Sequence, residues 1–144
     1  MLLSMETEGR VKHMRKIRVL LADDHETVQE QVRAILGKDF DIIGAVNNGQ
    51  DAVAETQRLD PDVLVIDISM PILNGFQAVR QLQTKNTRAK IVFLTVHEDP
   101  DFVAAAFSAG ASAYVLKSEV TSDLAPAIRE TLEGGTYVSK TISP

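Results

Sequence analysis

The sequence contains no cysteine, and positively charged residues are scarce relative to acidic ones. Without cysteine, the chain has no disulfide, no thiolate nucleophile and no cysteine-ligated zinc site. The 15 Lys and Arg residues are outnumbered by 20 Asp and Glu residues, which gives a net charge of -5. Nucleic-acid binding depends on clustered Lys and Arg that neutralise phosphates. We therefore expect no nucleic-acid contact by this chain alone.

Long apolar runs are also missing. No run approaches the ~20 residues that span a bilayer, and the N-terminus "MLLSMETEGRVKHMRK" lacks the apolar core of a signal peptide. We expect a cytoplasmic protein with no membrane contact. The length suits one domain, which we place at residues 16–135. Residues 1–15 read as a flexible N-terminal extension in which Met14 is a second possible start, and residues 136–144 as a C-terminal tail or the start of a linker.

What the sequence does have is a regular alternation of strand-like and helix-like segments. Five β-α units joined by short loops predict an α/β fold, namely a single-domain, flavodoxin-like (βα)5 doubly wound parallel sheet with strand order 2-1-3-4-5. Pro126 has to lie in or near the first turn of the last helix to spare a backbone hydrogen bond. The predicted strands are 17–22, 40–46, 62–67, 89–96 and 111–116, and the predicted helices are 26–37, 48–60, 76–85, 99–110 and 122–135.

Polar side chains lie at or just after the C-terminal ends of four of the five predicted strands. Asp23 and Asp24 follow the first strand, Asp67 and Thr95 lie at the ends of the third and fourth, and Lys117 follows the fifth. Taken singly, each residue has an ordinary explanation, such as an N-cap for aspartate or a solvated surface position for lysine. Independent caps are not expected to share one sheet edge, however. In sheets of this kind, ligands bind outside the carboxyl ends of the strands, so the sequence predicts a site there.

The residue types at this edge indicate phosphoryl chemistry. Three carboxylates need a cation, and oxygen donors without cysteine select a hard ion, for which Mg²⁺ is the usual choice. Lys117 adds a second positive charge. Aspartate is a known nucleophile towards phosphorus, with aspartyl-phosphate as the product. Asp67 ends the middle strand and is the natural acceptor.

Four segments resemble, in order, the signature segments of the receiver domain of two-component response regulators. They are "VLLADDH", "LVIDISMPILNG", "VFLTVH" and "GASAYVLKS", and the resemblance covers residues 17 to about 135. "GASAYVLKS" and "AIRETLEGGTYVS" are most similar to the NarL/FixJ type, whose members usually continue through a linker into a LuxR-type helix-turn-helix domain. The resemblance implies phosphorelay signal transduction, with transcription regulation if such an output domain exists in the native protein.

The resemblance also implies a metal site. By position, Asp67 is the phosphoacceptor, Asp24 binds Mg²⁺ directly and Asp23 holds it largely through water. The backbone carbonyl of Ser69 is implied as a further ligand, and Asp67 itself also contacts the ion. His25 receives no metal role and is expected to be a surface histidine.

Further roles carried over by position concern the phosphoryl group and the switch. Thr95 would hydrogen-bond the phosphoryl group, Lys117 would pair with it, and Tyr114 matches the switch aromatic that turns inward when the threonine moves. Ser69 and His97 occupy the two positions that govern how long the acyl phosphate survives. Pro71 and Gly75 match the loop that shapes the surroundings of the acceptor.

The partners implied are a sensor histidine kinase or a phosphotransfer protein. Output is expected through homodimerisation on the face made by the fourth helix, fifth strand and fifth helix, or through a downstream domain. Apart from self-catalysed phosphotransfer and autodephosphorylation, no enzymatic activity is expected.

Four alternatives stay open at this point. One is a stand-alone receiver that acts by protein–protein contact, and another is a receiver fold that is never phosphorylated. A Mg²⁺-dependent phosphatase of the haloacid-dehalogenase type would need an Asp-x-Asp motif, which "ADDHE" lacks. A flavodoxin-like cofactor binder would need a Ser/Thr/Gly-rich phosphate loop where "DDHET" is acidic.

Overall fold

The computed structural model describes residues 15–142 and consists of one parallel sheet with helices on both faces. The strand order is β2-β1-β3-β4-β5-β6. The predicted α/β fold and the order 2-1-3-4-5 are confirmed, and a sixth short strand extends the sheet beyond them. The elements are β1 Ile17–Ala22, α1 Glu26–Leu36, β2 Phe40–Val46, α2 Gly49–Leu59, β3 Val63–Ile66, α3 Gly75–Thr84, β4 Lys90–Thr95, α4 Pro100–Ala109, β5 Ala113–Leu116, a 3₁₀ turn Lys117–Glu119, α5 Val120–Leu132 and β6 Tyr137–Val138.

The sheet is buried on both faces. Every residue of β3 and β5 is buried, as expected for the apolar strands of a parallel sheet covered by helices. One apolar cluster lies under α2, α3 and α4, and a second lies under α1 and α5. Because both faces of the sheet are covered, its carboxyl edge is the place where loops can expose polar side chains.

The sixth strand was not predicted from the sequence. Residues 136–144 were expected to be a tail or linker, but Tyr137–Val138 pairs in parallel with β5. Ser139 continues this contact: its amide donates to the carbonyl of Tyr114 at 3.0 Å, and its hydroxyl accepts from the amide of Leu116 at 3.0 Å. Ser139 is buried as a result. This segment therefore covers the edge of β5.

The last helix begins earlier than predicted, and this changes the position of its proline. A 3₁₀ turn over Lys117–Glu119 leads directly into α5, which starts at Val120. Pro126 therefore lies inside the helix and beyond its first turn, so the prediction for Pro126 was wrong. Without an N–H group, Pro126 cannot donate to the carbonyl four residues earlier, and that carbonyl loses its helical partner.

Two expectations concern the ends of the chain and membranes. The predicted N-terminal extension at residues 1–15 lies outside the described residues except for Arg15. Among the helices of residues 15–142, none has the length and apolar character needed to cross a membrane.

One residue in the loop after β3 has an unfavourable backbone. Ile72 has φ +71° and an exposed fraction of 74%. A left-handed conformation costs a non-glycine residue about 1–2 kcal/mol, and a side chain this exposed recovers little by burial. We expect Ile72→Gly to raise the free energy of unfolding by about 1 kcal/mol, since the relief of strain exceeds the entropy cost of glycine.

Urea unfolding curves of the two proteins would measure this effect. Val96→Gly is the matched control, because Val96 is also β-branched and 67% exposed but is not among the residues with positive φ. The free energy of unfolding of this control should fall by about 0.5–1 kcal/mol. Equal decreases in the free energy of unfolding of the two variants would contradict the assignment of strain to Ile72.

Candidate functional site

The carboxyl edge of the sheet brings together the polar residues predicted from the strand ends. Asp23 and Asp24 follow β1, Asp67 follows β3, Thr95 ends β4 and Lys117 follows β5. Asp23, Asp67 and Thr95 are buried, whereas the side chain of Asp24 is 33% exposed. The site therefore has a buried floor and one accessible carboxylate.

Lys117 connects two of the carboxylates. Its Nζ lies 2.8 Å from Oδ2 of Asp23 and donates a hydrogen bond to Oδ2 of Asp67 at 2.9 Å. The contact with Asp23 is a close ion pair, so the buried Oδ2 of Asp23 has Lys117 as its charge partner. Burial lowers the pKa of Lys117, but the two carboxylates outweigh it, so the pKa is raised above its ordinary value. The ammonium group is charged at neutral pH.

The backbone around Asp67 fixes its carboxylate. The Asp67 amide donates to the carbonyl of Ala22 in β1, and Oδ1 of Asp67 accepts from the amide of Ile68 at 2.7 Å. The start of α3 packs against this segment so closely that a Cβ on Gly75 would lie 2.2 Å from the carbonyl oxygen of Asp67. Only glycine fits at this position, in agreement with the loop-shaping role expected for Gly75.

Asp23 and Asp24 do not cap the following helix. The N-cap residue of α1 is His25, and no side chain caps the helix there. Oδ1 of Asp23 instead accepts from the amide of His25 at 2.8 Å. The ordinary explanation for two acids at this junction therefore fails, and both carboxylates belong to the acidic cluster at the sheet edge. His25 is an exposed histidine, as expected, but its Nδ1 contacts both acids.

The donor atoms suit a divalent cation. One ligand atom from each of Asp23, Asp24, His25 and Asp67 lies within 4.8 Å of the others. Three carboxylates and the single ammonium group of Lys117 leave two negative charges, which a divalent cation would balance. Oδ2 of Asp23 is already paired with Nζ of Lys117 at 2.8 Å, so the partly exposed carboxylate of Asp24 is the more accessible ligand. The residues present therefore fit the hard, oxygen-ligated ion that the sequence predicts.

A second hydrogen-bonded group lies beside the acids. Oγ of Ser69 and Nε2 of His97 are 3.0 Å apart, and the His97 ring packs edge-on against Phe102 with centroids 4.5 Å apart. The amide of His97 donates to Oγ1 of Thr95 at 3.3 Å, and its carbonyl accepts from the hydroxyl of Tyr114 at 2.8 Å. His97 thus connects the loop after β3, the end of β4 and the middle of β5. The family resemblance led us to expect Ser69 and His97 near the acceptor. The hydrogen bond between them was not predicted.

Tyr114 is buried and faces inward. Its pKa is raised by burial and by the negative charges of Asp67 and Asp99. The pKa of Tyr137, the second of the two tyrosines, is raised by burial and by Asp123. Unfolded tyrosine ionises at a pH of about 10. The contribution of the two tyrosines to stability is therefore fully present below that pH and is lost as the pH rises above it, because the unfolded chain then releases phenolic protons first.

The tyrosinate absorbance of Tyr114 is consequently expected to appear together with alkaline unfolding and not before it. The Tyr114→Phe variant should retain only the more exposed Tyr137, which should ionise at a lower pH than Tyr114 does in the parent protein. A native protein that shows clearly more than half of the full tyrosinate signal before it unfolds would contradict the buried position of Tyr114.

Comparison with known families identifies this arrangement. A sequence profile described as the response regulator receiver domain matches residues 19–129. The chain belongs to this family. Receiver domains are the phosphorelay components of response regulators, and this receiver domain has the acidic residues, the threonine and the lysine on the carboxyl edge of its sheet.

Curated relatives include regulators of transcription. This receiver domain is 33% identical over 125 residues to "Transcriptional regulatory protein DegU" of Brevibacillus brevis, covering 85% of this chain and 53% of that protein. It is 35% identical over 129 residues to "Response regulator UvrY" of Escherichia coli, covering 88% and 59%. The chain thus spans between about half and three-fifths of the length of these relatives.

Solved structures give the same fold. A "two-component response regulator, LuxR family, from Aurantimonas sp. SI85-9A1" superposes with a TM-score of 0.84 at 30% identity, covering 89% of this chain and 93% of that one. The response regulator domain of Thermotoga maritima CheB superposes with a TM-score of 0.76 at 26% identity, covering 83% and 98%. The NarL/FixJ resemblance inferred from the sequence agrees with the LuxR-family name of the first structure.

Proposed function

We propose that this receiver domain accepts a phosphoryl group on Asp67 from the phosphohistidine of a sensor histidine kinase or a phosphotransfer protein. One observation carries the proposal: Nζ of Lys117 bridges Oδ2 of Asp23 and Oδ2 of Asp67 at 2.8 and 2.9 Å. A buried ammonium group beside one carboxylate can stabilise the negative charge of a transferring phosphoryl group. Asp23 holds the ammonium group in place, so Lys117 can contact the phosphoryl group on Asp67 without rearrangement.

The step exchanges one bond to phosphorus for another. The P–N bond of phosphohistidine breaks and its electron pair returns to the imidazole, while an oxygen of Asp67 forms the new P–O bond. Lys117 pairs with the phosphoryl oxygens, and the hydroxyl of Thr95 donates a hydrogen bond to one of them. Hydrolysis later transfers the phosphoryl group to water and regenerates the Asp67 carboxylate. The domain is thus a phosphoacceptor and not a turnover enzyme.

The metal proposed for this site is Mg²⁺, held by Asp24 and Asp67, with Asp23 largely through water and the backbone carbonyl of Ser69 as a further ligand. The charge balance and the grouping of the ligand atoms within 4.8 Å of one another support this assignment. When bound, the ion supplies positive charge that offsets the charge on the phosphoryl oxygens.

Switching is proposed to act through Thr95, His97 and Tyr114. Because Tyr114 is already inward and bonded to the carbonyl of His97, phosphorylation would favour a conformation that the protein samples without it. The hydrogen bond from the His97 amide to Thr95 is the contact that has to change when the Thr95 hydroxyl turns to the phosphoryl group. The Ser69–His97 pair lies beside the acceptor and is proposed to set the lifetime of the acyl phosphate.

The output of the native protein is proposed to be transcription regulation. Support comes from relatives such as "Transcriptional regulatory protein DegU", which are longer than this chain. DNA binding would then belong to a separate domain. We propose homodimerisation on the face of α4, β5 and α5, and such a dimer would also contact β6, because β6 lies next to β5. A cytoplasmic location is part of the same proposal.

Incubation with acetyl phosphate and MgCl₂ tests the acceptor function directly. Intact-mass spectrometry should show one added phosphoryl group per chain, and hydroxylamine should remove it, since acyl phosphates react with hydroxylamine. Omission of the divalent cation should suppress the reaction. Size-exclusion chromatography of the same samples would report dimerisation independently of phosphoryl uptake.

Two results would contradict the proposal. The first is an unmodified mass under conditions in which a known receiver domain in a parallel reaction is phosphorylated. The second is an adduct that survives hydroxylamine, which would place the group on a hydroxyl instead of a carboxylate.

A further inference from the structure

The segment after α5 is hydrogen-bonded to the backbone of β5 just before Lys117. The amide of Tyr137 donates to the carbonyl of Ser112 at 3.2 Å, and the amide of Ser139 donates to the carbonyl of Tyr114 at 3.0 Å. On its other side, β5 pairs with β4. The end of β5 is therefore held between a buried strand and this short segment.

The hydroxyl of Ser139 continues the ladder in place of its own carbonyl. In a regular parallel ladder, a residue that donates to one carbonyl accepts, through its own carbonyl, from the amide two residues further along the neighbouring strand. Leu116 occupies that place, but its amide donates to Oγ of Ser139 at 3.0 Å. The Ser139 carbonyl accepts instead from the amide of Ile142 at 3.1 Å. A single side-chain oxygen thus satisfies the amide of the last residue of β5.

The position of Lys117 depends on this contact, because Lys117 directly follows Leu116. Its backbone enters the 3₁₀ turn, while its Nζ lies 2.8 Å from Asp23 and 2.9 Å from Asp67. Leu116 and Ser139 are each 1% exposed, so water does not reach the Leu116 amide while the segment is in place. Without the Ser139 hydroxyl, a buried amide would lack an acceptor, and the backbone that carries Lys117 would be less firmly held.

We propose that Ser139 is a positioning residue for phosphoryl transfer, which acts by fixing the backbone from which Lys117 reaches Asp67. The proposal rests on the proposed function, in which Lys117 pairs with the transferring phosphoryl group. A displacement of about 1 Å can reduce the rate of a reaction about 100-fold. Loss of one backbone contact displaces the ammonium group for only part of the time, so the expected effect is smaller.

A purely structural role would also explain a buried serine at this edge. In that case Ser139 would stabilise the sheet, and its replacement would lower stability without changing phosphoryl transfer in the molecules that remain folded. The two roles differ in their dependence on Lys117. A positioning residue has nothing to position once the ammonium group is gone, whereas a structural residue has the same effect in either background.

The test compares initial rates of phosphoryl uptake from acetyl phosphate and MgCl₂ by timed intact-mass spectra of the full chain. Ser139→Ala should lower the rate about tenfold in the parent protein and less than about twofold in Lys117→Met. Ser122→Ala is the matched control, because Ser122 is an exposed serine whose hydroxyl contacts Glu119 and Asp123. This control should react at the parent rate.

Amide hydrogen exchange followed by NMR separates local loosening from general destabilisation. In Ser139→Ala, the Leu116 amide should exchange at least about tenfold faster, while the amides of β3 keep their parent rates. An unchanged rate of uptake in Ser139→Ala, an equal fold decrease in both backgrounds, or faster exchange throughout the sheet would overturn the positioning role. A parent protein that takes up no phosphoryl group would contradict the proposed function itself, and the role of Ser139 would fail with it.

Discussion

Asp67→Asn is expected to abolish phosphoryl uptake from acetyl phosphate, with no adduct detected by intact mass. The amide cannot act as the oxygen nucleophile, and no other carboxylate is equivalent to the one it replaces. Asp23 is buried, and its Oδ1 already accepts from the His25 amide at 2.8 Å. Nζ of Lys117 donates a hydrogen bond to Oδ2 of Asp67 at 2.9 Å.

Accessibility makes this prediction a strict test. The side chain of Asp67 is 4% exposed, while that of Asp24 is 33% exposed, so exposure alone would favour Asp24 as the acceptor. If the adduct persists in Asp67→Asn and disappears in Asp24→Asn, the assignment is wrong. Asp39→Asn is the matched control, because Asp39 is exposed and its nearest basic contact, Arg129, is 3.7 Å away; this variant should be modified like the parent protein.

The grouping of the site residues was predictable from the sequence because of a general property of parallel sheets. The carboxyl ends of all strands lie on one edge, so knowing where β1, β3, β4 and β5 end was sufficient to bring Asp23, Asp67, Thr95 and Lys117 together. The predicted boundaries of β1 and β2 agree with the structure. Apolar runs that end in a polar residue give precise boundaries of this kind.

The contacts between loops were not predictable. Ser69 and His97 are 28 residues apart and belong to loops whose backbone has no periodic pattern, so their bond depends on how two turns approach each other. The side-chain direction of His25 depends on a rotamer above the two acids, and sequence spacing carries no information about it.

The sixth strand and the start of α5 were missed for a different reason. Tyr137–Val138 has two residues, too few for an alternating pattern, and it forms because β5 offers an open edge. The 3₁₀ turn over Lys117–Glu119 places Pro126 inside α5 although sequence rules would keep proline near the helix start. In both cases tertiary packing outweighs local preference.

Lys117→Met should destabilise the protein by about 3–5 kcal/mol in the absence of divalent cations. Methionine preserves much of the side-chain volume but removes the charge, which leaves the carboxylates of Asp23 and Asp67 buried with no counter-ion. The rate of phosphoryl uptake should fall about 100-fold or more, as for the loss of one group that stabilises transition-state charge. Urea unfolding curves and timed mass spectra measure the two effects separately.

Two further variants separate the electrostatic cause from a general packing defect. Lys90→Met replaces an exposed lysine of β4 and should change stability by less than about 0.5 kcal/mol. Adding Asp67→Asn to Lys117→Met should restore part of the lost stability, because only one buried carboxylate then lacks a partner. MgCl₂ should also stabilise Lys117→Met more than it stabilises the parent protein, since the cation replaces the missing positive charge. If the double variant is no more stable than Lys117→Met, repulsion between Asp23 and Asp67 is not the cause of the loss.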